Sequence, residues 1–557
     1  MTDDSLFMDE IHQVSHYQLP LTRVHEGAAR QQQPPLDYWI GALVSRVSYT
    51  DFAVRTPAAL FGVLGTALVF TLLLAAQVKP VPALGMGLIA AFLPYAVYVS
   101  QDARPYAVSI ALLLLFLAQL KRVVDRDSDG ATGHFLLGLV CFSFLLSRTL
   151  VPLLTVACVM AYLLLRAIVL GRRHGAAGLR RGAAPCLPLG LAIVFYLPFL
   201  HTILSSGQRY LREDQSLWPA SLDFMDLFRA WQAQLEPIAL ATGVLALIAI
   251  ARVGYRWRTE PFLPRILVWL AVVLPVVHYL AFRSQTDLPF RPPYAIYVLP
   301  IGLLLAGYGL AAIAEALFQR RKGLGTSLAV LIILAMFSST LLAFTDHRQR
   351  ELKTDWRGLT AYARNELPAG TLLVAETIAA VPHWDPGHYG AQRYPYPTDL
   401  KPVPVDRMAY YREAIRPLEV PVAVVLFQYR DYLLTSASTI PLFAAPRPRA
   451  EIALENLDPA IAVERLTGLV VLRPTASSGE TALDLYRLIQ GVLAILPDDS
   501  SRVALELASV YLLEDGKPAL MRTHLDRASA LARPDQAAAI REVDLFVEQQ
   551  ALRDVGY

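Results

Sequence analysis

Ten apolar runs of membrane-spanning length constrain the fold of this 557-residue chain more than any other feature. They lie at about 55 to 78, 80 to 100, 105 to 123, 134 to 147, 149 to 170, 183 to 204, 236 to 253, 263 to 282, 294 to 318 and 325 to 345. A helix needs about 20 apolar residues to cross a hydrocarbon core of about 30 Å. We therefore predict a multi-span α-helical membrane protein with a transmembrane domain at 55–345.

The composition agrees with a membrane protein and excludes several other classes. Asp, Glu, Lys and Arg make up only 17% of the chain, whereas soluble domains carry about 25%. The net charge of +3 gives no indication of nucleic-acid binding. The three cysteines, Cys141, Cys158 and Cys186, fall in apolar runs without metal-ligand spacing, so neither a disulfide framework nor a zinc site is predicted.

The distribution of Lys and Arg between the loops predicts the orientation of the chain. Sixteen of these residues fall on the side that holds 79, 121–126, 166–181, 252–265 and 320–322, against seven on the other side. Because cytoplasmic loops are rich in Lys and Arg, both tails, 1–54 and 346–557, are expected to be extracytoplasmic. The tail 1–54 is acidic and contains no segment that would carry it across, so we expect a further helix to precede it.

The predicted spans contain almost no acids, which bears on whether the protein is a transporter. Glu236 and Glu315 lie near span ends, and His278 is the one deep-lying candidate among the carboxylates and histidines of the predicted spans. Proton-coupled transporters bind ions at carboxylates or histidines deep in the bilayer. A single histidine that is hydrogen-bonded between helices is the more ordinary arrangement. A transporter or flippase of a lipid-linked substrate is therefore a disfavoured alternative.

Charged groups gather instead at the predicted outer ends of the spans. Asp9 and Glu10 lie early in the first loop, and Asp102 and Arg104 lie in a tight turn between two spans. A charged residue at the bilayer centre costs about 2.5–3.5 kcal/mol or more, so these groups are expected near water. Asp102 and Arg104 fit a capping pair at a turn as well as they fit a functional site.

Two further outer loops carry a weaker signal. Arg209 and Arg212 belong to a loop at about 205 to 235, which fits a solvated loop with one surface helix. Arg291 lies just before the ninth span. Arginine at a bilayer edge often contacts only lipid headgroups, so Arg291 alone does not indicate a site.

Six short motifs in this order combine into a recognisable pattern. They are Asp9-Glu10, Gln33-Pro34-Pro35-Leu36-Asp37-Tyr38-Trp39, Arg55-Thr56-Pro57-Ala58-Ala59-Leu60, Ser100-Gln101-Asp102-Ala103-Arg104-Pro105-Tyr106, Phe290-Arg291-Pro292-Pro293-Tyr294 and Asp355-Trp356-Arg357. The pattern resembles the GT-C superfamily of integral-membrane glycosyltransferases, more narrowly the bacterial relatives of protein O-mannosyltransferases and of the lipid A aminoarabinose transferase. Each motif is weak alone, but their order and their positions at span ends favour the resemblance. The family also has one more helix before the acidic pair.

The resemblance implies transfer of a sugar, with inversion, from a polyprenyl-phosphate carrier to an envelope acceptor on the outer side of the bacterial inner membrane. Asp9 would be the base for the acceptor hydroxyl. Glu10 and Asp102 would orient the acceptor or hold a divalent cation, and Arg104 and Arg291 would bind the phosphate. The residues assigned to substrate binding are Pro34, Pro35, Arg104, Tyr106, Arg209, Arg212, Arg291 and Tyr294.

Gln32 and Gln33 depart from the family pattern. The aminoarabinose transferases carry an acidic residue and a lysine before the double proline. Because glutamine carries no charge, a metal site and a phosphate contact at these two positions do not follow, and neither does aminoarabinose as the sugar. An inactive relative that acts through its external domain is therefore a third hypothesis.

The region after the last span changes to mixed polar and apolar sequence. The apolar segments 372–375, 422–427 and 469–472 predict short buried strands in an extracytoplasmic α/β domain at 346–475. From 476 to 557 the sequence predicts an Ala- and Leu-rich helical end that resembles one tetratricopeptide unit. Because one unit does not form a stable array, we expect a two-helix cap on the preceding domain.

Overall fold

The computed structural model describes most of the chain. The described residues are 10, 13–14, 16–30, 33–125, 130–210, 225–285, 295–320, 324–349, 356–368, 370–375, 403–404, 415, 418–427, 457–466, 469–495, 500–513, 517–532 and 537–554. Asp9, Arg212, Arg291 and Tyr294, which the sequence assigns to the site, lie outside these residues.

The first loop folds into short helices that pack on the membrane domain. A 3-10 turn at His16–Gln18 precedes α1 (Val24–Arg30) and α2 (Leu36–Val47). The Leu36 N–H donates a hydrogen bond of 3.2 Å to the carbonyl oxygen of Leu146, which ties the start of α2 to a turn of the membrane domain.

Helices occupy all ten predicted spans, with two helices at 80 to 100 and one further helix, Met225–Leu235, between the sixth and seventh spans. The helices are α3 (Asp51–Ala75), α4 (Pro80–Phe92), α5 (Pro94–Ser100), α6 (Tyr106–Asp125), α7 (Ala131–Leu145), α8 (Val151–Ala183), α9 (Cys186–Tyr210), α10 (Met225–Leu235), α11 (Ala239–Tyr255), α12 (Phe262–Gln285), α13 (Val298–Arg320) and α14 (Leu324–Gln349). Within the described residues, six helices are long and apolar enough to cross a bilayer, or seven if α4 and α5 together form one span. One of the six, Val151–Ile203, runs through two predicted spans, and α7 and α11 are apolar but shorter. The chain is therefore a multi-pass membrane protein.

The span predicted at 80 to 100 is divided into two helices. The chain bends by 59° between α4 and α5. Pro94 has no N–H to continue the helix, and its ring disfavours the helical conformation of the preceding residue. Leu93 accordingly adopts an extended conformation, with φ −64° and ψ 123°. The bend therefore has a local cause in the sequence.

A five-stranded mixed sheet follows the membrane domain. Helix α15 (Trp356–Asn365) precedes strands β1 (Leu372–Ala375), β2 (Val403–Pro404), β3 (Val422–Phe427), β4 (Ile461–Leu466) and β5 (Leu469–Pro474). The strand order is β2-β1-β3-β5-β4, where β1 is parallel to β2 and β3 while β5 is antiparallel to β3 and β4. The three predicted strands are β1, β3 and β5, so the small sheet expected in this region is present.

The two faces of the sheet belong to different hydrophobic clusters, because successive side chains of a strand point to opposite sides. Val374 and Val424 pack with the helical end, which comprises α16 (Thr481–Ile495), α17 (Ser500–Leu512), α18 (Pro518–Leu531) and α19 (Ala537–Asp554). Leu373 and Val425 share a cluster with Tyr38 of the first loop. The sheet and the helical end thus have one core, and the sheet lies on the same side of the membrane domain as the first loop.

Candidate active site at the loop end of the membrane domain

The predicted site residues that the structure describes converge on one end of the membrane domain. We call it the loop end: the first loop, the turn 101–105 before α6 and the turn 146–150 before α8. These segments are far apart in sequence. Hydrogen bonds and ring contacts join them into one buried polar cluster.

The centre of the cluster is a buried ion pair between Glu10 and Arg55. Glu10 is 0% exposed and Arg55 is 1% exposed. The Arg55 Nε donates to Glu10 Oε1 at 3.0 Å and its Nη2 donates to Glu10 Oε2 at 2.9 Å. The backbone N–H of Ala103 adds a hydrogen bond of 2.8 Å to Oε1. A single carboxylate therefore connects the first loop, the start of α3 and the turn that carries Asp102.

Arg55 reaches this position because α3 begins before the apolar run does. The Thr50 side chain accepts a hydrogen bond of 3.2 Å from the Ala53 N–H, which is the bond expected of an N-cap threonine. The cap starts the helix at Asp51, ahead of the span predicted from residue 55. Arg55 then lies in the second turn of α3, at the level of the loop.

A divalent cation on Glu10 does not fit these contacts. Both of its carboxylate oxygens already accept hydrogen bonds from the Arg55 guanidinium, and that positive charge would repel a cation placed beside it. Nowhere in the described residues do three or more His, Cys, Asp or Glu side chains form a group able to hold a metal ion. Glu10 is thus a neutralised anion that fixes the geometry of the loop.

Two arginines meet the aromatic ring of Tyr106 in the next layer of the cluster. The guanidinium carbon of Arg148 lies 4.5 Å from the ring centroid, and that of Arg104 lies 5.7 Å from it. The Arg104 Nη2 also approaches the Tyr106 hydroxyl at 3.4 Å. Asp102 is buried in the same turn, and its carbonyl oxygen accepts the Arg104 N–H at 2.7 Å. The ring thus holds two positive charges close together, as anion binding requires.

Asp37, at the start of α2 in the first loop, is a third buried carboxylate of the cluster. Its Oδ2 accepts hydrogen bonds from Gln13 Nε2 and, at 3.4 Å, from the Tyr17 hydroxyl. Burial raises the pKa of Asp37 from 3.8 to about 6. The hydrogen bond from Gln13, the charge of Arg104 and the hydrogen bond from Tyr17 act in the opposite direction but do not cancel it. Asp37 therefore titrates close to the pH range in which enzymes work.

The structure describes only some of the other predicted substrate-binding residues. Pro34 and Pro35 are buried directly before α2, so they position Asp37. Arg209 lies in the last turn of α9, and its side chain is not among those described. The roles of Arg209, Arg212, Arg291 and Tyr294 stay predictions.

Several residues of the cluster had no role assigned from the sequence. Arg55 and Asp37 occur inside the motifs given above, and Arg148 is one of the seven Lys and Arg residues counted on the extracytoplasmic side. Outside the cluster, Gln234 is also fully buried: its side chain donates to the Ala295 carbonyl at 3.0 Å and accepts the Leu299 N–H at 3.1 Å. In the sequence, Asp37 is recognisable only as the acid between Leu36 and Tyr38 of the second motif.

His278 has the arrangement that the sequence favoured. It is buried, and its Nδ1 lies 3.3 Å from the hydroxyl of Tyr297. The two rings are also in contact, with centroids 5.6 Å apart. The histidine is therefore hydrogen-bonded to Tyr297, directly before α13.

Comparison with known proteins supports the fold assignment. No protein-family model and no curated protein sequence matches the chain. The chain is similar to the solved structure of ArnT from Cupriavidus metallidurans in the apo state, with 13% identity and a TM-score of 0.50, over 84% of this chain and 93% of that chain. The structure of ArnT from Cupriavidus metallidurans bound to undecaprenyl phosphate is also similar, with 14% identity and a TM-score of 0.47, over 85% of this chain and 95% of that chain. The apo likeness confirms that this chain shares its overall fold with ArnT.

Proposed function

We propose that this protein is an inverting membrane glycosyltransferase. It would move a sugar from a polyprenyl-phosphate carrier to an envelope acceptor at the loop end, on the extracytoplasmic side of a bacterial inner membrane. The observation that carries the proposal is the pair Arg104 and Arg148 beside Tyr106, within a cluster of buried carboxylates at the end of the membrane domain.

The two arginines suit the phosphate that leaves with the polyprenyl chain. Guanidinium groups bind phosphate oxygens through pairs of parallel N–H donors. Arg148 is buried, so its charge is screened less by water than a surface charge would be. A lipid donor also explains why the arginines lie at helix ends, because the phosphate stays at the interface while its tail enters the bilayer.

The chemistry requires one proton acceptor and one stabilised leaving group. The Asp9 carboxylate takes the proton of the acceptor hydroxyl, whose oxygen then forms a bond to the anomeric carbon. The bond between that carbon and the phosphate oxygen breaks, and its electron pair leaves with the phosphate. Arg104 and Arg148 stabilise the negative charge that develops there. Asp102 orients the acceptor.

Glu10 and Arg55 support this chemistry by fixing the loop. Asp9 directly precedes Glu10 in the chain, and the Glu10 carboxylate is held by Arg55 and by the Ala103 N–H. The same bonds fix the turn of Asp102 and Arg104. One buried ion pair would therefore fix the positions of the base, the acceptor-orienting group and the phosphate-binding group. Catalysis requires such groups to be held in place before the reaction.

Gln33 offers a neutral contact for a sugar or acceptor hydroxyl. Among the described residues its buried Oε1 has no hydrogen-bond partner. A buried acceptor without a partner costs about 1–3 kcal/mol, and a substrate hydroxyl would satisfy it. The aminoarabinose transferases have an acidic residue and a lysine in this segment, so the neutral glutamine does not favour aminoarabinose as the sugar.

A transfer assay in proteoliposomes tests the proposal. The donor is polyprenyl phosphate carrying a radiolabelled sugar, and envelope lipids and glycans serve as acceptors. Asp9→Asn and Asp102→Asn should lower transfer by about 100-fold or more, while the control Arg256→Gln at the opposite end should retain it. The anomeric configuration of the product, determined by NMR, should be the inverse of that of the donor.

Two outcomes would overturn the assignment. Undiminished transfer by Asp9→Asn and Asp102→Asn would remove their catalytic roles. Movement of the labelled lipid across the membrane with no glycosylated product would favour a flippase.

A further inference from the structure

A basic cavity lies at the end of the membrane domain that is far from the first loop. Its volume is about 270 Å³. Val123, Val124 and Pro185 form an apolar floor, and His134, Arg166 and Arg181 form a basic rim. Val123 and Val124 lie in the last turn of α6, a helix of 20 residues that begins at Tyr106. With a rise of about 1.5 Å per residue, the cavity is about a membrane thickness away from the candidate active site.

A tight glycine hairpin at the end of α8 brings Arg181 back toward Arg166. Gly175 has a φ of +63°, a conformation that L side chains rarely adopt, and the chain reverses there. The returning segment packs on the outgoing one through Gly182. A Cβ at Gly182 would lie 2.5 Å from the Ala167 Cα. The close approach thus depends on glycine, and it sets two arginines that are 15 positions apart in sequence on one rim.

A hydrogen bond to α6 fixes the position of His134, the third basic residue of the rim. The Gln119 side chain donates to the Gly133 carbonyl at 3.1 Å, which holds the first turn of α7 and therefore His134. The rim is thus built from α7 and α8, and α6 supplies part of the apolar floor.

Positive charge dominates the electrostatics of this cavity. Arg265 lies close enough to Arg166 for the two like charges to repel each other. None of the described residues that line the cavity is acidic. The carboxylate of Asp125, at the end of α6, forms an ion pair of 2.7 Å with Lys121, and its negative charge also acts on Arg166. Like charges held together in a preformed cavity favour an anionic ligand.

We infer that this cavity binds the phosphate group of an anionic phosphoester at the membrane surface. The arginines would bind the phosphate oxygens, and the apolar floor would cover the adjoining carbon atoms. The volume admits such a group, since a water molecule occupies about 30 Å³ in the liquid. The ligand has two potential sources, an anionic phospholipid headgroup and a soluble phosphate monoester. Basic pockets between transmembrane helices are known to bind anionic headgroups.

Lipid binding to the purified full-length protein tests this site. Native mass spectrometry would measure binding of phosphatidylglycerol, with phosphatidylcholine as the zwitterionic comparison and glycerol 3-phosphate as the soluble one. Arg181→Gln should weaken phosphatidylglycerol binding roughly tenfold or more. The control is Arg172→Gln, an exposed arginine of the same basic segment that does not line the cavity, and it should change binding less than twofold.

A pair of glycine variants tests the cavity without changing any charge. Gly182→Ala should weaken phosphatidylglycerol binding as Arg181→Gln does, because the added methyl group separates the hairpin. Gly190→Ala in the neighbouring helix α9 is the control, since a Cβ there would meet no atom within 4 Å.

The outcomes are distinct. Binding of phosphatidylglycerol alone assigns the site to a lipid headgroup, and competition by glycerol 3-phosphate assigns it to a soluble phosphoester. Equal losses in Arg181→Gln and Arg172→Gln would show diffuse attraction by the basic segment and would overturn the inference. Binding that is unchanged in both Arg181→Gln and Gly182→Ala would overturn it as well.

Discussion

The two ends of the membrane domain use ion pairs in different ways. At the loop end, Glu10 and Arg55 are buried almost completely and the carboxylate also accepts a backbone N–H. At the opposite end, Arg256 and Glu315 form a pair at 3.6 Å with side chains that are 46% and 45% exposed. Burial of a charge pair carries a desolvation cost that its mutual attraction often fails to recover. The loop end therefore retains charges at a cost in stability, which is typical of a functional site.

Arg252 is the centre of an ion-pair network at the opposite end. Its side chain bonds to Glu260 at 3.1 Å and to Glu315 at 2.7 Å, and it lies 5.3 Å from the ring of Tyr308. These contacts connect α11, the loop after it and α13. The network is partly open to water, so its contribution is expected to be structural and modest.

The largest expected effect concerns the buried pair. Arg55→Met should lower the free energy of unfolding by about 3–5 kcal/mol, because it leaves the Glu10 carboxylate buried without its counter-charge. The double variant Glu10→Gln with Arg55→Met should recover most of that loss. Thermal unfolding of the purified protein in detergent measures both.

Arg46→Met is the matched control for this experiment. Arg46 is an exposed arginine of α2, one helix away from Arg55, and its loss should change stability by less than about 1 kcal/mol. If Arg55→Met lowers the free energy of unfolding no more than Arg46→Met does, the buried pair of Glu10 and Arg55 does not stabilise the loop end as described.

The second expected effect is a pH dependence that comes from Asp37. Its pKa is raised from 3.8 to about 6 by burial, so the folded state holds more protons than the unfolded state between these values. Stability should therefore fall as pH rises from about 4 to about 6 and then level off. Asp37→Asn should remove this slope and gain roughly 3 kcal/mol over the wild type at pH 8, since each pKa unit is about 1.4 kcal/mol.

Unfolding curves of the wild type and Asp37→Asn between pH 4 and pH 8 check this prediction. The difference between the two proteins is the relevant quantity, because other groups titrate in both. Parallel curves, with a constant difference at every pH, would show that Asp37 does not titrate as described.

The smallest expected effect is at the opposite end. Arg256→Gln should change the free energy of unfolding by less than about 1 kcal/mol, because its pair with Glu315 is exposed and lies at 3.6 Å. The effect should shrink further in high salt, which screens exposed charges. If Arg256→Gln lowers the free energy of unfolding as much as Arg55→Met does, the burial of an ion pair does not explain the difference between the two ends.

The sequence was sufficient for the helices because the bilayer imposes a simple rule on them. Each long apolar run had to be helical, since its backbone groups have no other partners in lipid. The glycine hairpin of α8 was not predicted, because it depends on the close packing of Gly182 on Ala167. In the sheet, β4 escaped prediction because Glu464 and Arg465 interrupt its apolar pattern.

The candidate site was only partly predictable for a different reason. Motif matching marked Asp102 and Arg104, but the partner of Glu10 is 45 positions away in the chain. Ala103 is 93 positions from Glu10. Such contacts are properties of the folded chain, so one sequence could not assign Arg55 its role. The raised pKa of Asp37 likewise depends on its burial in the folded chain, which no local pattern reports.

The most direct test of the central claim is to map where the lipid phosphate binds. Polyprenyl phosphate with a photoreactive group beside the phosphate would be crosslinked to the protein in membranes that contain excess phosphatidylglycerol. Mass spectrometry of the digested protein would then locate the adducts. The account predicts adducts near residues 102–110 and 146–152, and their loss in Arg148→Gln. Adducts confined to the opposite end, near residues 123–134 and 166–185, would contradict it.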